Sequence, residues 1–500
     1  MFHVSDLYLL APELSLTLVA LAVMIVDLFV KRRIVTVTVA LIGLIIPLGL
    51  TISQAFLVDT LVANHTLAAN HAFFGMLIVD NYAIFFDIVF LVIAAVIILS
   101  SYSYLGKYVK AEGEFYTLLL FSVTGMMFMA STSELLTIYI SLELTSIPLY
   151  VMAGLLRTGE RSAEAAVKYV LLGAMSSAIL LYGFALLYGL TGTTDLTGIA
   201  TSIKNGVQTG NVLVLIASVL IMAGFGFKIS AVPFHMWAPD IYEGSPTPAT
   251  AFFSVGSKGA GFAALLRVFM TGGLGQVNVT SLITIIAIIA ILTMTLGNLV
   301  AAVQTNVKRM MAYSSIAQAG YILVGFVASI AGRNADGNTA VLFFILVYVI
   351  TNLGAFAGII ALANATGGEK IEDFRGLAKR APLLSAGTAL CLLSLGGIPP
   401  MAGFMSKVFI FTAAWGQDLS WLVVIALINT VVSLVYYGRI VKAMYFDAPL
   451  KEDHLTTPMG LSSSIALTTA ALIVITFAAQ VVLYLANPAA NSLLAFLPGR

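Results

Sequence analysis

Long apolar runs follow one another along this chain, parted by short polar breaks. The runs are continuous rather than alternating. They predict membrane-crossing α-helices and not the strands of a β-barrel. Fourteen segments are expected, at about 7–30, 34–57, 81–104, 114–131, 133–156, 162–190, 211–238, 249–271, 277–303, 306–329, 338–363, 383–415, 419–446 and 461–486. Most match the ~20 residues that a helix needs to cross a bilayer. Only Ser131-Thr132-Ser133 separates the fourth from the fifth, which predicts a tight turn. The 58–80 loop holds AFFGMLIVDNYA, which reads as a short hairpin beside the membrane.

Two of the segments are interrupted. The seventh breaks at Pro233, and the twelfth at Gly396-Gly397-Ile398-Pro399-Pro400. The breaks lie five segments apart. If each unit has five crossings, the second must be inverted relative to the first. Interrupted helices at matching positions of inverted halves point to an ion site in a transporter. The fold class is therefore all-α and polytopic, with two inverted five-helix repeats broken at helices 7 and 12. The expected division is 1–110 for the N-terminal helices, 111–273 and 274–448 for the repeats, and 449–500 for the last helix.

Composition agrees with this class. Of 500 residues, 60% are hydrophobic and 9% charged, and the mean hydropathy is +1.03. The net charge of +1 argues against a nucleic-acid partner. A single cysteine, Cys391, allows no internal disulfide and supports no thiolate metal site or iron–sulfur cluster. No P-loop or strand-linked GxGxxG is present, and no cofactor is expected in this chain. The N-terminus lacks a basic region, so the first segment reads as a retained helix. Basic residues set the orientation. With the N-terminus outside, sixteen of the 24 Lys and Arg fall on the cytoplasmic side: Lys31, Arg32, Arg33, Lys107, Lys110, Arg157, Arg161, Lys308, Arg309, Lys370, Arg375, Lys379, Arg380, Arg439, Lys442 and Lys451. Lys204, Arg267, Arg333 and Arg500 lie toward the outside. Both termini are expected there.

The remaining four, Lys168, Lys228, Lys258 and Lys407, fall within expected spans, as does Glu143. A charge at the bilayer centre costs about 2.5–3.5 kcal/mol. Five unpaired ones would cost on the order of 15 kcal/mol, which rivals a domain's whole stability. They must therefore face protein or water and interact. Glu143 and Lys228 each precede a proline by five residues, Pro148 and Pro233, which free the carbonyls of Leu144 and Ile229. Burial disfavours a charged ammonium and a nearby carboxylate favours it. Movement of Glu143 relative to Lys228 would thus load or release a proton. A structural ion pair is the plainer reading. Lys168 has a long stem that can snorkel to the cytoplasmic face. Lys258 is flanked by Gly and Ser, which admit close packing or water. Lys407 follows Pro399-Pro400 and should line an irregular hydrated cavity. His235, beside the first break, is equally a core histidine or a relay member, and no second ligand supports a metal there. Asp27, Asp87 and Glu134 read as ordinary boundary residues. Ionisable groups on segments five, six, seven, eight and twelve would make a line through the interior, the form of a proton relay. Lysines dominate it, which disfavours a sodium or calcium cage.

At these residues the chain resembles the antiporter-like membrane subunits of respiratory complex I, closest to the chain-N branch of the proton-translocating NADH–quinone oxidoreductases. The motifs are FKISAVPFHMWAPDIYEGSPTPATAFFSVGSK, LLAPELSLTLVALAVMIVDLF, SLELTSIPLYVMAGLL, EAAVKYVLLGAMSSAILLYG, NVKRMMAYSSIAQAGYILVG and GGIPPMAGFMSKVFIF. The resemblance implies fourteen helices, two inverted repeats and broken helices seven and twelve. It also assigns Glu143, Lys168, Lys228, Lys258 and Lys407 to the proton path. Lysine at 407 favours chain N over chain M, and the lack of a long lateral helix sets chain L aside. NADH, flavin, iron–sulfur clusters and quinone would belong to partner subunits. The expected partners are other membrane-arm subunits, lipid and protons, in a bacterial plasma membrane. Multisubunit cation/proton antiporters share the motifs and are the alternative. A purely structural membrane subunit is a second class, and a lone solute transporter a third.

Overall fold

The computed structural model describes residues 4–30, 32–63, 71–156, 159–205, 212–332, 334–449 and 453–495. Of the basic residues that set the expected orientation, Lys31, Arg157, Arg333, Lys451 and Arg500 lie outside the described residues. In chain order the helices are α1 Val4–Leu9, α2 Ala11–Phe29, α3 Arg33–Gly43, α4 Ile45–Ala63, α5 Asn81–Tyr108, α6 Glu112–Ser131, α7 Leu135–Ala153, α8 Glu160–Thr191, α9 Leu196–Asn205, α10 Val212–Ile229 and α11 Trp237–Gly244. There follow α12 Thr247–Phe252, α13 Lys258–Met270, α14 Val279–Val303, α15 Val307–Gly332, α16 Ala335–Thr366, α17 Leu377–Arg380, α18 Pro382–Gly396, α19 Ala402–Trp415, α20 Ser420–Tyr445, α21 Met459–Phe477 and α22 Ala479–Ala495. A π-helical stretch, Phe253–Ser257, joins α12 to α13.

Among the described residues, 13 spans are long and apolar enough to cross a membrane. Residues Arg33–Val58 supply one of these, and Thr247–Met270 another. In place of the expected twelfth segment stand the two shorter apolar helices α18 and α19. The expected last segment is divided, since α21 ends at Phe477 and α22 starts at Ala479. The hairpin expected beside the membrane is present. His71–Ala72 pairs antiparallel with Leu77–Ile78 around a 3₁₀ turn, Phe73–Gly75.

The bundle has an inside and an outside, though its helices are apolar all round. The window spanning α12 and α13 is 100% buried, and those of α15 and α16 are 89% buried. Those of α2, α14 and α21 are only 33% buried. The outer helices present Leu, Ile, Val and Phe to their surroundings. In lipid that costs nothing, because the tails are as apolar as the side chains. Polar residues therefore mark the interior.

Both interruptions are real, and their backbone groups find partners as a low-dielectric interior demands. α10 stops at Ile229, four residues before Pro233, and the chain reverses at Ser230 with φ +60°. Trp237 Nε1 donates to the Phe227 carbonyl at 2.7 Å, and Val232 N donates to Thr293 Oγ1 at 3.0 Å. The second break begins at Gly397, whose φ of +83° suits glycine. A Cβ there would also stand 3.1 Å from the Lys407 side chain. Pro148 behaves differently, lying inside the continuous helix α7.

One buried ion pair ties three helices at the end where α5 begins and α6 and α13 finish. Arg267 on α13 donates to both oxygens of Asp80, at 2.6 and 2.9 Å, and to the Ala130 carbonyl at 2.7 Å. Asp80 caps α5 by accepting from Ala83 N at 2.8 Å. The guanidinium lies over the Tyr82 ring, 4.6 Å from its centroid. Removing one partner of such a pair leaves an uncompensated charge. Arg267→Met should therefore destabilise the chain by about 3–5 kcal/mol, read from unfolding in detergent. Adding Asp80→Asn should recover most of that loss. A double variant no more stable than Arg267→Met would show that the pair is not its source.

Candidate functional site

Among the described residues four lysines are buried: Lys308 on α15, which pairs with Glu369 at 2.8 Å, and Lys228 on α10, Lys258 at the start of α13 and Lys407 on α19. Each of the last three bonds to a neutral oxygen. Lys228 Nζ donates to the Ser146 hydroxyl on α7. Lys258 Nζ donates to the Ser315 carbonyl at 2.5 Å and to its hydroxyl, both on α15. Lys407 Nζ donates to the Gly396 carbonyl at 3.1 Å, which the second helix break exposes. Among the described residues, none of these three lies within ion-pairing distance of a carboxylate. Aromatic faces complete two of the sites. The Lys228 ammonium sits 5.5 Å from the Tyr150 centroid, and that of Lys407 sits 4.7 Å from Tyr321.

Glu143, expected to pair with Lys228, is half-buried on α7 and its Oε1 has no hydrogen-bond partner. Ser146, one turn along the same helix, takes the Lys228 contact instead. The carboxylate remains near enough to act on Lys228 electrostatically.

Hydroxyls and amides fill the gaps between the lysines. Tyr150 stacks edge-on against Tyr169, centroids 4.8 Å apart, and Tyr169 faces Ser257, which precedes Lys258. The hydroxyls of Tyr150, Tyr169 and Ser257 are buried without protein partners. Such groups ordinarily carry ordered water. Beyond Lys258, the Ser315 hydroxyl meets Tyr242 at 3.2 Å. Tyr348 on α16 lies by Ser315 and bonds the Ser254 carbonyl at 3.1 Å. It also lines a cavity of about 10 Å³ shared with Gln318, Thr351, Ser394, Ser406 and Lys407. That is room for a single water. Gln318 in turn bonds Tyr437 at 3.2 Å, and Tyr437 bonds Ser314 at 2.5 Å.

Lys168, in the span Glu160–Thr191, makes none of these contacts, and its stem runs out to a cluster of charged side chains, as the snorkelling alternative expected. Its side chain is 41% exposed and binds Glu164 and Asp240, each at 2.7 Å. Arg309 joins Asp240 at 2.9 Å and Glu243 at 3.0 Å. With Arg161 these residues line an open cavity of about 230 Å³. Burial pushes the Asp240 carboxyl up, but hydrogen bonds from Lys168 and Arg309 outweigh it and hold the group below its usual range. His235 is half-buried beside the first break, and its Nδ1 has no partner. Pro399 and Pro400 form the exposed elbow of the second break. Among the described residues, no cluster of His, Cys, Asp or Glu is placed to hold a metal.

Sequence reasoning missed Ser146, Ser315, Tyr348 and Gln318 as partners, and Asp240 and Arg309 as a cluster. The signal lay in polar residues inside apolar helices, as in MMAYSSIAQAGY.

Residues 132–433 match the family model described as NADH:quinone oxidoreductase/Mrp antiporter, TM. The chain belongs to that family. It is 44% identical to NADH-quinone oxidoreductase subunit N 2 of Symbiobacterium thermophilum, over 94% of each chain. It is 40% identical to subunit N of Desulforamulus reducens, over 97% of this chain and 98% of that one. Among solved structures, a chain of respiratory complex I from Thermus thermophilus with bound aureothin is 30% identical, with a TM-score of 0.77, over 95% of this chain and 99% of that chain. A chain of the Mrp complex from Dietzia sp. aligns with a TM-score of 0.83 at 19% identity, which is a likeness of fold alone. That chain is covered to 97%, as is this one.

Burial separates the four lysines expected on the proton path into two chemical classes. An amine-acylating reagent applied in detergent should modify Lys168 and spare Lys228, Lys258 and Lys407, as read by peptide mass spectrometry. Equal labelling of all four would contradict the buried placement.

Proposed function

We propose that this chain is a proton-translocating membrane-arm subunit of a NADH–quinone oxidoreductase. It would couple quinone reduction in partner subunits to proton transfer through its interior. The observation that carries this reading is the run of three buried lysines, each on a neutral oxygen and joined by hydroxyls, in a close relative of chains named subunit N. An ammonium bonded to a neutral oxygen can release its proton without orphaning a buried carboxylate. A hydroxyl can accept one proton while passing on another.

In this reading Glu143 and Lys228 are the switch pair, with Ser146 between them as the resting partner of the lysine. Lys258 is central, Tyr348 bridges it to Lys407, and Lys407 exchanges protons at the far half. Lys168 with Asp240 and Arg309 would form the approach on one face. Pro148, Pro233, His235, Pro399 and Pro400 shape the path rather than carry the proton. The helix order favours fourteen crossings if α18 and α19 together cross once. Residues 111–273 and 274–448 would be two inverted repeats, with both termini outside a bacterial plasma membrane. The chain would hold no redox centre, and NADH, flavin, iron–sulfur clusters and quinone would belong to partner subunits.

Purification from native membranes tests the assembly. Co-purification with quinone-reductase and iron–sulfur subunits supports the reading. Recovery with small membrane proteins alone, together with cation-dependent antiport, would favour an antiporter complex instead. In the reconstituted complex, Lys228→Ala, Lys407→Ala and Glu143→Gln should each abolish or strongly lower proton pumping while the complex still assembles. Normal pumping in these variants would sink the relay. Tyr348→Phe removes one hydroxyl and keeps the ring. It should slow pumping about tenfold, equivalent to ~1.4 kcal/mol on the barrier. An unchanged rate would take Tyr348 off the path.

A further inference from the structure

A pocket of about 210 Å³ lies at the end of α20, away from the lysine line. Arg375, Arg439, Lys442, Glu372 and Asp447 line it. Three cations thus face two carboxylates, a surplus of one positive charge. Among the described residues none of the five is in an ion pair. The backbone brings them together. Gly376 N donates to the Ala443 carbonyl at 2.9 Å, so the residues before each, Arg375 and Lys442, converge on one cavity. Arg439 is anchored, its Nη1 donating to the Ala302 carbonyl at 2.5 Å. Arg375 is not, because its Nε is enclosed with no hydrogen-bond partner. A lysine in the last turn of α20 suits the helix dipole, which accounts for Lys442 alone. The unsatisfied guanidinium N–H of Arg375 asks for an anionic oxygen.

The surface beside the pocket says what carries that oxygen. α20 is long and apolar enough to cross the membrane, and Ile428, Val431 and Val435 on it are exposed. They recur at the spacing of one helix face. Lys442 stands seven residues beyond Val435, on the same face, and is also exposed. Val431 to Lys442 is about 17 Å along the axis, and one leaflet of hydrocarbon is about 15 Å deep. Tyr445 and Phe446, exposed where α20 ends, suit the membrane–water boundary. All three cations belong to the set expected on the cytoplasmic side, where anionic lipids attract basic residues. A free phosphate would use the pocket and leave the apolar stripe unexplained, whereas a lipid uses both.

We propose that Arg375, Arg439 and Lys442 bind the phosphate of an anionic phospholipid, with an acyl chain lying along the Ile428–Val431–Val435 face of α20. The Arg375 Nε donates to a phosphate oxygen, and Lys442 supplies charge at the mouth. The site goes beyond the proton relay and does not depend on it.

Photolabelling of the reconstituted complex tests this. The probe is a trace of phosphatidylglycerol with a diazirine in its acyl chain, in vesicles of phosphatidylcholine. Peptide mass spectrometry should find label on the exposed stripe of α20 in the wild type. Arg375→Gln and Lys442→Gln should each lower it about fivefold. Lys442 is exposed, so its substitution carries the test if Arg375→Gln does not assemble. Label unchanged in Lys442→Gln and in any assembled Arg375→Gln would overturn the proposal. Equal labelling by a phosphatidylcholine diazirine probe would do so too, since the site would then not select an anionic lipid. An unlabelled stripe in the wild type would mean that a neighbouring subunit covers this face. Full displacement of the probe by inorganic phosphate would assign the pocket to a free anion, and the lipid would then be wrong.

Discussion

The line of interior lysines depends on keeping an ammonium in an apolar interior without a carboxylate beside it. A buried ammonium must have oxygen acceptors, because the cost of leaving it bare is too high. Lys228, Lys258 and Lys407 are each given neutral ones: a serine hydroxyl, a serine carbonyl and hydroxyl, and a glycine carbonyl. Arg267 is treated in the opposite way, with a bidentate carboxylate and an aromatic face. The contrast separates two roles. A guanidinium locked to a carboxylate is always charged and fixes α5 against α6 and α13. An ammonium on a neutral oxygen can be charged or not, at modest cost either way.

The helix breaks follow from that requirement. A carbonyl inside an unbroken helix already accepts from the N–H four residues on and offers a neighbour only its second lone pair, as that of Ser315 does to Lys258. Ending α18 at Gly396 releases one, and Lys407 takes it from eleven residues away. At the first break, the side chains of Trp237 and Thr293 stand in for the missing backbone bonds. The two breaks thus serve different ends. One feeds a lysine directly, while the other lets α10 stop just past Lys228. The π-helical stretch before Lys258 is a third departure from regular helix at a lysine. Such bulges gather at functional positions.

Apolar length, proline position and buried charge made the architecture and the three interior lysines legible from the chain alone. The hairpin near residue 75 was also readable, from its apolar run and Gly75. The partners were harder. Nothing in SLELTSIPLY tells a reader that Ser146 rather than Glu143 faces Lys228, because both lie one turn apart on the same side. Lys168 looks intramembrane by its place in α8, yet its stem reaches Asp240, 72 residues on. That contact depends on where the first break sends α11. Arg267 was placed only toward the outside and Asp80 drew no reading, and only the fold reveals that they meet 187 residues apart.

The interior along the lysines is closely packed. The cavity beside Lys407 holds about one water. Tyr150, Tyr169 and Ser257 stand in a row without protein partners, and Lys228 and Lys258 are each satisfied by a side chain or carbonyl close by. In the proposed relay, a proton would move when Lys228 leaves Ser146 or when water enters beside the tyrosines. Each step is a small rearrangement of few atoms, and each can be driven by a change of charge on a neighbour. Glu143, half-buried with a free oxygen one turn from Ser146, is the charge best placed to do it.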